Sequence, residues 1–137
     1  MLAALAALIS PALRGAGAAA SSEGSSGREV TAVLRIYSVI LEIIRALLPI
    51  IDRIEQHDRD LGRQLRRALA SVPLNTAEGS YSRGRNRAAR YHSAAGSMNE
   101  VIAGVETAVA FEYVHSFDPE LLDRMRRVVA TLFKNAR

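Results

Sequence analysis

The sequence contains no cysteine and no tryptophan, and aromatic residues make up only 5% of it. The lack of cysteine excludes disulfide bonds, thiolate metal sites and a cysteine nucleophile. Hydrophobic residues nevertheless make up 49% of the 137-residue chain, so its core has to be aliphatic. No uncharged apolar run reaches the roughly 18 to 20 residues that cross a bilayer. We therefore expect no membrane-spanning segment and no membrane partner.

The chain has the length of one domain, and its composition changes sharply at Arg28. Residues 1–27 are almost entirely Ala, Gly, Ser and Leu and are predicted to be a disordered leader, whereas residues 28–137 are predicted to form the folded domain. A signal peptide is disfavoured because no Lys or Arg precedes the apolar run of the leader, and we expect a cytoplasmic protein. The leader holds one charge of each sign, Arg14 and Glu23, so the net charge of +4 belongs to the domain.

Apolar residues recur three and four positions apart in four successive segments, which is the spacing of a helix face. The first segment is 33–54, and Pro49 inside it predicts a kink. The second begins near Asp58 and is predicted to stop at Gly79, the third covers about 86–114, and the last opens with Asp118-Pro119 as N-cap and first helical residue. No segment alternates as a strand does. The sequence thus predicts an all-α fold, an antiparallel four-helix bundle.

Two features of these helices concern their packing, and the second of them favours self-association. Small residues repeat at intervals of seven along one side of the third helix, where they allow another helix to approach closely. These residues are Ala89, Gly96, Ala103 and Ala110. The first helix also carries more apolar surface than an isolated four-helix bundle can cover.

A polar stripe follows the second helix beside its apolar face. Gln64, Ser71, Asn75 and Glu78 fall within about 60° of one another on an ideal helix. Such a stripe has two interpretations, a functional site or a buried polar network that fixes the register of the helices. We favour the structural interpretation.

Part of this stripe carries a resemblance to a known family. The segment 64–79, with Arg83 and residues 95–100, resembles the four-helix bundle family first known as the 23S rRNA intervening-sequence protein. Its most recognisable pattern is Ser-x-Pro-x-Asn-x-Ala-Glu-Gly, here Ser71, Pro73, Asn75, Ala77, Glu78 and Gly79, followed by Gly96, Ser97 and Glu100. The resemblance covers about residues 34–115, and the sequence departs from the family in its leader and in its aromatic-poor third helix.

The resemblance implies more than a fold. Members form ring-like homopentamers of an antiparallel bundle, and no enzymatic activity is established for them. Their relatives include the accessory variability determinant of diversity-generating retroelements, a basic ring that binds a reverse transcriptase and nucleic acid. The implied partners of this bacterial-type protein are therefore further copies of itself, RNA or DNA, and a reverse transcriptase. No cofactor and no small-molecule substrate are implied.

A cluster of arginines is the strongest physical signal for function. Seven of them lie within 28 residues that contain a single acid, Glu78. They are Arg63, Arg66, Arg67, Arg83, Arg85, Arg87 and Arg90. Guanidinium groups pair with phosphate oxygens, and Tyr81 and Tyr91 offer faces on which a base can stack. The alternative is a solvated basic surface without a ligand, because nearly all basic residues of this chain are Arg.

An enzymatic alternative rests on Arg87 and His92. Their Arg-x-x-x-x-His spacing is similar to that of the HEPN ribonucleases, in which such a pair could perform acid and base catalysis on RNA without a metal. The motif is short and arises easily by chance in an arginine-rich chain, so we expect no enzyme. The histidines His57, His92 and His115 are too far apart in sequence for helical ligand spacing, and we expect no metal site. A purely structural interaction module is the remaining alternative.

Overall fold

The computed structural model describes residues 26–137, and this part of the chain contains four helices and no strand. The helices are α1 (Ser26–His57), α2 (Arg59–Tyr81), α3 (Gly84–Ala110) and α4 (Pro119–Asn135). The all-α prediction is therefore confirmed. Helix α1 begins two residues before the compositional boundary at Arg28, and the rest of the predicted disordered leader lies outside the described residues.

Short connections determine how the helices are arranged. Only Asp58 separates α1 from α2, and only Ser82 and Arg83 separate α2 from α3. Connections of this length join antiparallel neighbours. Helix α1 packs against α2 and α4, and α3 packs against α2 and α4, so the four helices surround one core. This arrangement agrees with the predicted four-helix bundle.

The core is aliphatic, as the scarcity of aromatic residues predicts. Each helix contributes fully buried side chains to it, among them Ile40, Ile43, Leu47 and Ile51 of α1, Leu65 and Val72 of α2, Met98, Val101 and Val105 of α3, and Met125 and Leu132 of α4. Tyr91 is the one aromatic side chain in this buried set, with 3% of its surface exposed.

Both predicted N-caps, Asp58 and Asp118, are confirmed by their hydrogen bonds. The Asp58 carboxylate accepts from the backbone N–H of Leu61 at 2.9 Å, and the Asp118 carboxylate accepts from the N–H of Glu120 at 3.0 Å. Each carboxylate satisfies a donor that the first helical turn leaves without a backbone partner. Pro119 follows as the first residue of α4, where its missing N–H costs nothing.

Three predicted helix boundaries were wrong. Helix α2 continues through Gly79 to Tyr81; Gly79 is a buried helical residue because the ring of Tyr91 packs against it. Helix α3 ends at Ala110 rather than 114, and it begins at Gly84 rather than 86. Its end coincides with Glu112, whose φ of 61° is left-handed and cannot continue a right-handed helix.

Two faces of the bundle remain uncovered by residues 26–137. The four small residues Ala89, Gly96, Ala103 and Ala110 are all exposed, so no described helix packs on this side of α3. On the other side of the molecule, Leu48 is 38% exposed and Leu74 is 65% exposed. These side chains belong to an open apolar groove between α1 and α2.

Candidate nucleic-acid interface

One end of the bundle collects basic side chains. The α2–α3 connection, the start of α1 and the end of α4 meet there because the helices run antiparallel. We call this region the basic end, and it comprises Arg28, Arg83, Arg85, Arg87, Lys134 and Arg137. The N-terminus of α3 adds the positive end of its helix dipole, and no acid occupies the first turn of that helix to offset it.

The basic end presents guanidinium groups to solvent. Arg83 and Arg85 are exposed, and neither forms an ion pair with any residue that the structure describes. Arg87 is half-buried, and its Nε donates a hydrogen bond to the backbone carbonyl of Ser82 at 2.9 Å. That bond holds the α2–α3 connection against α3, so these arginines are carried on a short and well-anchored segment.

Acids on neighbouring helices already pair with two of the seven predicted arginines. Arg66 contacts Asp52 and, at 3.1 Å, Glu55, both on α1. Hydrogen bonds to Asp52 and then Glu55 raise the pKa of Arg66 above its ordinary value. Arg90 pairs with Glu78 across α2 and α3, with Nε and Oε2 2.9 Å apart. These two cations have to exchange an existing partner before they contact phosphate.

Arg63 and Arg67 lie away from the basic end, on a polar groove of about 600 Å³ between α2 and α3. Asp60 and Glu100 line the same groove, so acids lie near the two guanidinium groups there. The seven arginines therefore do not form one continuous surface. The stronger positive region is the basic end.

The residues of the sequence motif form a ladder of polar contacts between α2 and α3. Gln64 donates to Glu100 at 3.1 Å, and the Ser97 hydroxyl donates to the Ser71 hydroxyl at 2.9 Å. Asn75 then donates to both the carbonyl and the hydroxyl oxygen of Ser71 at 2.9 Å. The Arg90–Glu78 pair lies at the end of the ladder nearest the α2–α3 connection. Together these contacts fix the register of two antiparallel helices.

The predicted burial of this network is wrong. Ser71 and Asn75 are half-buried, while Gln64, Glu78 and Glu100 are exposed. The stripe flanks the core on the seam of α2 and α3, where long side chains still reach water. Asn75 bonds to Ser71 within the stripe, whereas Gln64, Ser71 and Glu78 have partners on α3, because the seam brings the polar flanks of two helices together.

Pro73, Gly79 and Gly96 of the motif have different surroundings. Pro73 lines the apolar groove between α1 and α2. The packing of Tyr91 requires glycine at position 79. A Cβ there would lie 2.5 Å from Cδ1 of Tyr91, which is closer than a Cβ atom comes to another heavy atom in real proteins. Gly96 has open space around it, with no atom within 4 Å of a built Cβ.

Arg87 and His92, the residues of the ribonuclease alternative, have separate contacts in this chain. Arg87 is bonded to Ser82, whereas the His92 ring meets the ring of Phe133 at a centroid distance of 5.4 Å and a tilt of 56°. Five residues along one helix also set their Cα–Cβ bonds about 140° apart. The fold of one chain does not bring this pair into one site.

Sequence reasoning missed a stack of three rings at the end opposite the basic end. His57 stacks on Tyr113, and Tyr113 stacks on Phe111, with centroids 5.4 Å apart in both pairs. The left-handed Glu112 turns the chain so that both of its neighbours face the same way. The only signal in the sequence is the i, i+2 spacing of Phe111 and Tyr113.

Within residues 26–137, no group of His, Asp and Glu is arranged to hold a metal ion. The helices of that same region lack any stretch both long and apolar enough to cross a membrane.

Comparison with protein families gives one clear match. The family model described as the 23S rRNA-intervening sequence protein matches residues 32–134, which is most of the chain and all four helices apart from the first turns of α1 and the last residue of α4. No curated protein and no solved structure matched the chain. The matched region contains the polar ladder, the Gly79–Tyr91 contact and the basic α2–α3 connection. The chain therefore belongs to the 23S rRNA-intervening sequence protein family.

Proposed function

We propose that this protein is a non-enzymatic bundle that assembles with copies of itself, as a homopentamer, and contacts nucleic acid through its basic end. The observation that carries the proposal is the exposure of Arg83 and Arg85, which have no ion-pair partner among the described residues. Guanidinium groups that have no acidic partner and lie on an anchored connection gain the most binding free energy when they pair with phosphate oxygens.

Further contacts at this end fit the same ligand. Tyr81 precedes the connection, and 57% of its surface is exposed, so a base can stack on its ring. The dipole of α3 favours an anion near Arg83. The proposed partners are RNA, DNA, or a reverse transcriptase that itself carries nucleic acid. The protein would meet them in the bacterial cytoplasm.

Self-assembly is supported by a separate observation. Soluble monomers rarely expose contiguous apolar patches, yet Leu48 and Leu74 lie side by side on the open α1/α2 groove. The pentamer follows from the family resemblance. Several copies in one particle would multiply the basic ends and raise the avidity for a long polyanion.

The test compares two triple variants that lower the net charge equally. The first replaces Arg83, Arg85 and Arg87 by Ala. The second, a matched control, replaces Arg124, Arg126 and Arg127, which pair with Glu42, Glu106 and Asp123. Binding to labelled single-stranded RNA and duplex DNA is measured by fluorescence anisotropy at several salt concentrations.

We expect affinity to fall with salt by about 0.9 log units per log unit of salt for each duplex phosphate contacted. The first variant should bind weakly and with a flatter salt slope, while the control variant retains most of the affinity. Equal losses in both variants, or no binding at low salt, would refute the interface. Metal-independent RNA cleavage that disappears in His92→Ala would instead establish the ribonuclease alternative.

A further inference from the structure

An aromatic pair lies beside the basic end, where α3 packs against α4. The ring centroids of His92 and Phe133 are 5.4 Å apart, and the rings are tilted by 56°. His92 is exposed, and 44% of the surface of Phe133 is exposed. Because the rings are tilted, they do not cover each other face to face, and the pair leaves aromatic surface open to solvent. One exposed ring alone is common on proteins, and what distinguishes this pair is the charge around it.

Cations flank the pair on both helices. Arg85 lies seven residues before His92, so the two side chains leave α3 within about 20° of each other and about 10.5 Å apart along its axis. On α4, Lys134 directly follows Phe133. Arg85 and Lys134 are both exposed, and neither forms an ion pair with any residue that the structure describes. Both cations are therefore available to an anion that approaches the rings.

The segments of α3 and α4 around the pair contain no Asp or Glu. These segments are residues 83–99 and 124–137. Glu78 and Glu100 lie on the seam of α2 and α3, where each already has a partner. Glu106 pairs with Arg126, about 21 Å further along α3 than His92. The acids of these neighbouring helices thus leave the surface around the two rings positive.

Cations and open aromatic faces together discriminate between single-stranded and duplex nucleic acid. In a duplex the bases stack on one another and present only their edges in the grooves, so a protein ring reaches a base face only if that base is unstacked. In a single strand the base faces are accessible, and stacking on an aromatic side chain adds to the attraction between phosphates and cations. A surface with cations alone would lack this preference.

We propose that the basic end binds single-stranded nucleic acid in preference to duplex, with one base stacked on the His92–Phe133 pair and neighbouring phosphates paired with Arg85 and Lys134. Between Arg85 and His92, this side of α3 exposes Ala89, whose methyl group leaves a path for the nucleic-acid backbone. The inference rests on the proposed contact with nucleic acid, and it adds the class of ligand and the position of a base.

Because the chain has no tryptophan, a single introduced indole can report the stacked base. Phe133→Trp places it in the pair, and Phe111→Trp, the matched control, places it on a ring at the opposite end that is 64% exposed. Single-stranded RNA, single-stranded DNA and duplex DNA of equal length are titrated while tryptophan emission is recorded. We expect both single strands to quench the emission of Phe133→Trp, through stacking of a base on the indole, and to leave that of Phe111→Trp unchanged.

Affinity gives a second readout, measured by fluorescence anisotropy with the same probes. Phe133→Leu removes the ring and keeps an apolar side chain, and Phe111→Leu is its control. We expect the wild type to prefer the single strands, and Phe133→Leu to weaken their binding about fivefold or more while duplex binding changes less than about twofold. The effect of Phe133→Leu should vanish on an abasic strand, which has the phosphates without the bases. Phe111→Leu should bind every probe as the wild type does.

These measurements separate this inference from the proposed function. If the wild type binds no probe at low salt, the nucleic-acid interface and the stacking site are both refuted. If the wild type binds single strands and duplex equally and Phe133→Leu changes neither, the stacking site is refuted and the interface stands. If another copy of this chain covers the pair, the emission of Phe133→Trp will change on dilution and will not respond to nucleic acid, which also refutes the stacking site.

Discussion

The ring of Tyr91 fills the space in which a side chain at Gly79 would stand. A Cβ built on Gly79 would lie 2.5 Å from Cδ1 and 3.2 Å from Cζ of that ring. Tyr91 itself is 97% buried, as its 3% exposure implies. The last glycine of the family motif is thus explained by a helix-to-helix contact between α2 and α3, and no ligand is needed to account for it.

Gly79→Ala should destabilise the fold. Alanine improves helix propensity by about 1 kcal/mol, but the collision with a buried ring costs more, so we expect a net loss of about 1 to 2 kcal/mol. Chemical denaturation at one fixed protein concentration measures it. Gly27→Ala is the control, since nothing lies within 4 Å of its Cβ. A Gly79→Ala variant as stable as the wild type would remove this explanation of the motif.

Glu112→Gly should stabilise the protein. Glu112 holds a φ of 61°, which costs a residue with a side chain roughly 1 to 2 kcal/mol, whereas glycine adopts it freely. Part of the gain is lost to the greater freedom of glycine in the unfolded chain, which leaves about 0.5 to 1 kcal/mol. The midpoint of urea denaturation should rise. Glu112→Val should lower it, and a rise for both variants would contradict the strain.

Asn75→Ala should cost about 1 kcal/mol. The Asn75 amide donates to the carbonyl and the hydroxyl of Ser71, and the site is only half-buried, so water replaces part of what is lost. Ser71→Ala combined with Asn75→Ala should cost less than the two single changes added together, because the residues share one hydrogen bond. Unchanged stability with lost partner binding would make the ladder a binding site instead.

Stability should fall at alkaline pH partly through Tyr37. Burial raises the pKa of Tyr37 above its ordinary value of 10.0, so the folded state favours the neutral phenol. The contribution of the neutral Tyr37 side chain to the free energy of unfolding is complete below about pH 10. It is lost as the pH rises through the higher pKa that Tyr37 has in the folded state. Tyr37→Phe should flatten the decline above that pH. Identical alkaline profiles for Tyr37→Phe and the wild type would contradict this role of burial.

The sequence predicts the helices well because their signals are local. The three-and-four spacing, the Asp58 cap and the Asp118-Pro119 start all act within one or two turns, and the structure confirms them. The end of α2 was predicted wrongly because a buried glycine and a terminal glycine look the same in sequence. Only the approach of Tyr91, twelve residues later, distinguishes them.

The candidate site is less predictable for a related reason. Counting charges along residues 63–90 finds one acid, yet Asp52 and Glu55 reach Arg66 from another helix. Likewise Glu100 and Asp60 share the groove of Arg63 and Arg67. Charge balance at a surface depends on which helices are neighbours. Arg83, Arg85 and Arg87, on and just after the connection, present the positive surface that local counting predicts.

The mass of the native particle tests the central claim, self-assembly, most directly. Analytical ultracentrifugation or light scattering at micromolar concentration should give about five times the chain mass of 14.8 kDa. The basic ends of several copies would then be held in one particle. A clean monomer of 14.8 kDa at that concentration would contradict the account.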